Sequence, residues 1–232
     1  MIYRNISSAE ELIDVINEIG FLPLLPCHIK GFSVDEMVDQ DCRYQVLEDG
    51  SWDWPMWKWK GPIVELRECT YGKFYCSKAG YLSMAWWQDL MNYRRGTAAA
   101  LTEDSIEEMI LEALQFGGSM ITRELRSACG FTGKNMRGKF DGYVTRLEMQ
   151  CRIVTESFVY PRDKHGREYG WGWSLLTTPE ELFGRELCQA PINADGSVRT
   201  PEESLERMKD HLAKHLPQAN DRQLTKLLRM GN

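Results

Sequence analysis

"SMITRELRSACGFTGKNMRGKFDGYVTRLEMQ", residues 119 to 150, is the stretch on which the fold turns. It reads as two helices, "SMITRELRSACG" and the longer "TGKNMRGKFDGYVTRLEMQ", parted by glycine. In the longer one Met136, Phe140, Tyr143, Val144 and Leu147 fall on one stripe at helical spacing, and that stripe must face a core. The opposite face carries Lys134, Gly138, Asp141, Gly142 and Thr145, flanked by Asn135, Lys139 and Arg146. Upstream, Thr102 caps a first helix, "EDSIEEMILEALQFGG", whose early acids suit the helix dipole. Downstream, "RIVTESFVY" and "REYGWGWSLLT" read as two strands around "PRDKHG". Three helices followed by a hairpin is the order of a winged helix-turn-helix, in which the third helix enters the major groove of DNA and the hairpin touches beside it.

The charge of this region fits such contact. The chain has net charge -6, yet residues 119–152 hold seven basic residues against three acidic ones. Residues 1–60 hold five basic against eleven acidic. A local basic patch is the electrostatic footprint of phosphate binding. Arg123, Lys134, Asn135, Arg137, Lys139 and Arg146 are the candidate DNA contacts on the helices, and Arg162, Lys164 and Arg167 those at the hairpin tip. A glycine inside a helix is about 1 kcal/mol less favourable than alanine. Gly138 and Gly142, one turn apart, therefore imply a close approach, either by a phosphate strand or by a neighbouring helix.

Around this unit the chain divides in three: a Trp-rich α+β region over 1–100, the winged-helix unit over 101–185 and a helical extension over 186–232. The first region opens with a helix in "SSAEELIDVINEIG", with Ser7 or Ser8 as cap and Gly20 as stop. "FLPLLPCHIKGFS", broken by Pro23 and Pro26, reads as an extended buried connector. "PIVELREC", "YGKFYC" and "GYLS" read as a small β-meander turned at Thr-Tyr-Gly and Ser-Lys-Ala-Gly. "SMAWWQDLMNYRRG" reads as a helix capped by Ser83 and closed by Gly96. "TPEESLERMKDHLAKHLP" and "NDRQLTKLLRM" read as two closing helices. The predicted fold class is α+β.

"WDWPMWKWKGP", residues 52 to 62, holds four of the eight tryptophans. Pro55 prevents one regular strand there. Trp57, Trp59, Lys60, Lys73, Lys78 and Arg94 form a candidate pocket, since an extruded base and its phosphate need aromatic faces beside cations. Core packing is the plainer role of such tryptophans. No metal or cofactor is expected. His211 and His215 stand one turn apart on a helix without a third ligand, and no phosphate loop or dinucleotide motif is present. Seven scattered cysteines without a close pair, and no long apolar run, point to a reduced cytoplasmic protein away from membranes.

"IGFLPLLPCHIKGFSVDEM", "WKWKGPIV", "YGKFYCSKAGYLS", "NYRR", "FDGYVTRLEMQ" and "YGWGWSLLTTPEELFG" together resemble the AlkZ-related proteins, small bacterial relatives of the AlkZ and YcaQ DNA glycosylases. The resemblance runs from about residue 10 to 185. It implies a winged-helix architecture and a link to alkylated or crosslinked DNA, whose damaged bases the larger members excise by hydrolysis without a metal. Those enzymes carry a Gln-apolar-Gln or Gln-apolar-Asp motif after a Gly-hydrophobic pair. Here the matching stretch is Gly20-Phe21-Leu22-Pro23-Leu24-Leu25, with Pro23 and Leu25 where the polar groups would stand. Neither side chain orients water or offsets positive charge. The expected function is DNA binding without the family's catalytic motif. The alternatives are a glycosylase with a diverged site and a non-catalytic module that packs its glycine face on a protein partner.

Overall fold

The computed structural model describes residues 5–48, 50, 52–133, 137–168 and 170–230. Helix α1 (Ala9–Ile19) begins at Ser8, whose hydroxyl accepts from the Glu11 amide, and ends at Gly20 with φ 83°. Strand β1 (Phe21–Pro23) follows, then the short helices α2 (Val34–Met37) and α3 (Gln40–Arg43) and the two-residue strands β2 (Gln45–Val46) and β3 (Trp52–Asp53). The connector expected to be merely extended thus contributes a strand.

Helix α4 (Pro55–Glu65) corrects the reading of "PIVELREC" as β. Pro55 sits at the helix start, where its fixed φ is already helical. Met56, Lys60, Ile63 and Val64 then bury one helical face, and that burial overrides both the interior Pro62 and the β preference of Ile and Val. The sheet strand begins only at Cys69. Strands β4 (Cys69–Tyr75) and β5 (Lys78–Ser83) form a hairpin that turns at Cys76 and Ser77, with φ of 50° and 64°. Two successive left-handed residues match the right-handed twist of the strands. Of the expected turns, Thr-Tyr-Gly lies within β4, while Ser-Lys-Ala-Gly meets the observed turn only at Ser77, its last three residues lying in β5. The sheet order is β1-β5-β4. Helix α5 (Met84–Thr97) runs past Gly96 rather than stopping there. A Cβ at Gly96 would lie 2.4 Å from the ring of Pro201, so the glycine lets a later helix dock.

Helix α6 (Ile106–Gly117) starts from Ser105, not Thr102; its hydroxyl accepts from the Glu108 amide, and Asp104 before it is left-handed with φ 61°. Strand β6 (Met120–Ile121), helices α7 (Thr122–Ala128) and α8 (Arg137–Met149), and strands β7 (Val154–Val159) and β8 (Trp173–Thr177) complete this part. Its three-stranded sheet is ordered β6-β8-β7, with Met120 opposite Leu176 and Val154 opposite Thr177. Helices α9 (Pro179–Phe183), α10 (Pro201–His215) and α11 (Asp221–Leu228) close the chain. The architecture is mixed helix and sheet, as the α+β class expects. Among the described residues no helix is long and apolar enough to cross a membrane.

Two clusters of buried hydrophobics organise the molecule. One joins α1, β1, β4, β5 and α5 to α10 and α11, through Leu12, Phe21, Phe74, Trp87, Met208, Leu212 and Leu227. The other joins α6, α7, α8 and β8, through Ile110, Leu125, Phe140, Val144, Leu147 and Leu176. Phe140, Val144 and Leu147 of the expected stripe are buried there, Tyr143 is partly so, and Met136 lies outside the described residues.

Candidate nucleic-acid interface

Helix α8 has an edge beside its apolar stripe. Arg137, Asp141, Val144 and Glu148 recur at helical spacing along it and form one wall of a cleft of about 480 Å³. Arg123 and Arg126 of α7 and Trp173 of β8 form the other wall, and Lys73 of β4 reaches in from the first sheet. Four cations and two carboxylates thus share one concave surface.

The floor is polar and ordered. Glu148 is only 4% exposed. One carboxylate oxygen accepts from the Lys73 amide at 3.2 Å, and the other lies 3.3 Å from Lys73 Nζ. That ammonium also donates to Thr145 Oγ1 at 2.9 Å. Burial raises the Glu148 pKa above the usual carboxylate value, and the pull of Lys73 offsets only part of this. At the rim the Arg123 guanidinium lies 5.6 Å from the centre of the exposed Trp173 ring. Arg126 and Arg137 have no carboxylate partner among the described residues. Their charge is available to a ligand, whereas that of Lys73 is shared with Glu148.

Of the DNA contacts expected from sequence, the structure brings Arg123 and Arg137 together in this cleft. Lys139 is exposed on α8 outside it. Arg146 is tied to Glu107 of α6 at 2.5 Å and lies over Tyr143. At the hairpin tip Arg162 pairs with Glu168 and Arg167 with Asp163, each at 3.0 Å, which leaves Lys164 exposed without an ion pair among the described residues. Lys134 and Asn135 lie outside the described residues. Sequence reasoning missed Arg126, Glu148 and Trp173. The spacing 137, 141, 144, 148 was the signal for the α8 edge; nothing local marked Trp173.

The six residues of the expected aromatic pocket do not line one cavity. Trp57 does meet aromatic company: Trp54 and Trp57 pack on Trp171 of the hairpin at 4.8 and 5.3 Å between ring centres. Lys60 lies beneath, 3% exposed, with Nζ 4.9 Å from the Trp57 ring centre and 4.3 Å from that of Phe158. It donates to the Trp171 carbonyl at 2.5 Å, and burial pushes its pKa down to about 8. Trp59 is half-buried against the first core. Lys73 belongs to the cationic cleft instead. Lys78 is exposed and donates to the Pro26 carbonyl at 3.0 Å. Arg94 is fully buried and its three nitrogens donate to the carbonyls of Leu228, Met149 and Phe74, so it is a core strut and not a ligand group.

Near the expected motif position, Pro23 is buried in β1 opposite Gly80. Leu25 lines a pocket of about 460 Å³ with Trp54, Trp57, Met56, Tyr44 and Gln40. Asp35 and Arg43, also there, are paired to each other through two hydrogen bonds of 2.9 and 2.6 Å. Elsewhere, His211 bonds the Ile19 carbonyl through Nε2 at 3.0 Å, which occupies a ring nitrogen that a metal would need.

A family model described as AlkZ related matches residues 6–229. No curated protein and no solved structure matches the chain.

Proposed function

The chain belongs to the AlkZ-related family, and from that premise we propose that it binds DNA through the cleft between α7, α8 and β8 and has lost the chemistry of the related glycosylases. On this reading α6 to β8 form a winged helix: helix, short strand, two helices and a two-stranded wing, with α8 as the helix that meets the groove. The carrying observation is the cleft itself, in which Arg126 and Arg137 face a concave surface beside Arg123 and Trp173 with no ion-pair partner among the described residues. Cations free of carboxylates are what release counterions on phosphate binding.

Loss of the family chemistry rests on Pro23 and Leu25. One is locked in a sheet and the other offers only methyl groups to the pocket beside Trp54 and Trp57. Asp35, the carboxylate that lines this pocket among the described residues, is paired to Arg43 and so is not a free replacement for the polar motif.

Fluorescence anisotropy with labelled duplex, single-stranded and abasic oligonucleotides tests the proposal. Binding should weaken with salt at a log–log slope of about −0.9 for each duplex phosphate contacted. Arg126→Glu and Arg137→Glu should each lose about tenfold or more, since each reverses a charge at a phosphate contact. Absence of binding to every oligonucleotide at low salt removes the proposal. Release of an alkylated base from duplex DNA by the wild-type chain would overturn the non-catalytic half alone.

A further inference from the structure

A second arginine-lined pocket lies apart from the cleft, and we propose that it is a binding site for a single phosphate group. The pocket measures about 240 Å³ and is lined by Arg95 from α5, Arg152 in the turn before β7 and Arg185 after α9, with Gln115, Glu180 and Glu181 at its walls. Sites for whole drug-sized ligands run to roughly 300–1,000 Å³. This one suits a charged group and what is directly attached to it.

The charges show what is missing. Arg95 is committed: Nη1 donates to Glu180 at 2.6 Å, while Nε and Nη2 reach the Cys151 carbonyl at 3.2 and 2.7 Å. Arg152 has no such partner. Its Nε is buried with no hydrogen bond, and among the described residues no carboxylate pairs with its guanidinium. Arg185, exposed, likewise has no ion pair among the described residues. With Arg95 paired to Glu180, the uncommitted positive charge of the pocket is that of Arg152 and Arg185, and an anion between them would be held by both. Burial and the nearby Arg95 disfavour the charged form of Arg152, and Glu180 offsets only part of this. Glu181, exposed in the lining with no cation paired to it among the described residues, opposes an anion, and a phosphate that engages both guanidinium groups overcomes that repulsion better than a single carboxylate does. The phosphate can come from a DNA backbone or from a free phosphate ester.

Thermal unfolding in inorganic phosphate, against chloride at equal ionic strength, reads the site directly. Phosphate at about ten times its Kd should raise the Tm of the wild-type chain by roughly 3 °C. The rise should vanish in Arg185→Gln, an exposed change that leaves folding intact, and in Arg152→Lys. It should persist in Arg126→Gln, which alters only the cleft, so loss of DNA binding there with the phosphate response intact separates this site from the proposed DNA surface. DNA titrations name the source. A severalfold weaker affinity in Arg185→Gln with a salt slope reduced by about one marks a backbone phosphate; unchanged DNA affinity with a lost phosphate response marks a free ester. If Arg185→Gln matches wild type in both phosphate response and DNA affinity, the site is overturned.

Discussion

Glu148 sets the sign of the cleft at its floor. Its folded-state pKa is raised, so between the ordinary carboxylate value near 4.5 and that higher value the folded chain binds more protons than the unfolded one. Stability therefore falls as pH rises through that window. Glu148→Gln should flatten this fall in urea titrations taken from pH 4 to 8. It also frees Lys73 from its counter-ion, and DNA affinity should rise about fivefold, the effect of one unit charge at contact distance in water. Lower affinity in Glu148→Gln would mean that the carboxylate itself meets the ligand. Lys60 behaves in the opposite sense. Its pKa falls to about 8, so between pH 8 and its ordinary 10.5 the unfolded chain binds the extra proton and stability rises with pH. Relative to Lys60→Met, the wild type should gain on the order of 3 kcal/mol from pH 7 to 10.5 at the most. An equal pH response in both chains would show that Lys60 is solvated. Neither group was legible beforehand. Lysine and arginine are rarely buried, so Lys60 of "WKWK" and Arg94 of "NYRR" read as cations facing a ligand pocket and not as buried groups. Only packing reveals that Lys60 lies under Trp57 and that Arg94 spans three carbonyls.

Helix α8 was legible because a few apolar residues recur at helical spacing, and Phe140, Val144 and Leu147 of the predicted stripe are buried. Its outer face answers part of the glycine question. A Cβ at Gly138 or Gly142 would meet nothing within 4 Å, so among the described residues no other helix packs against these glycines. Open helical glycines should accept alanine with a gain of about 1 kcal/mol each. The double variant Gly138→Ala/Gly142→Ala should therefore raise Tm, and if a phosphate strand runs along this face its DNA affinity should drop at the same time. A rise in Tm with unchanged affinity would confine DNA contact to the cleft edge at Arg137 and Asp141. Shorter elements were not legible. β6 has two residues, fewer than one period of alternation can mark, and it was absorbed into the following helix. "PIVE" carries β-branched residues and a proline, yet tertiary burial makes it the end of α4. The hairpin turn at Cys76 and Ser77 lacks the asparagine or glycine that usually announces left-handed residues, so the sequence places the turn slightly late, at Ser-Lys-Ala-Gly.

At the scale of the molecule, the Arg94 guanidinium joins three parts that are far apart in sequence. It bonds Phe74 in β4, Met149 at the end of α8 and Leu228 at the end of α11. The first cluster of buried hydrophobics is therefore closed by the C-terminal helices and linked by one side chain to the helix that lines the cleft. Asp89 adds a second tie, held by Arg199 at 2.7 Å and by Arg207. Arg94→Leu removes the charge but strands three carbonyls in a dry core, where each unpaired acceptor is costly. The expected loss is about 3–5 kcal/mol, the range for breaking a buried charged interaction. Truncation after Val198 should do more: it uncovers α1 and α5 by removing Met208, Leu212 and Leu227, and the remaining chain should lose its cooperative thermal transition by circular dichroism. A truncated chain that still unfolds cooperatively near the wild-type Tm would show that residues 199–232 are a dispensable attachment. In that case Arg94→Leu should also be mild, because one of its three acceptors would lie on a segment the core does not need.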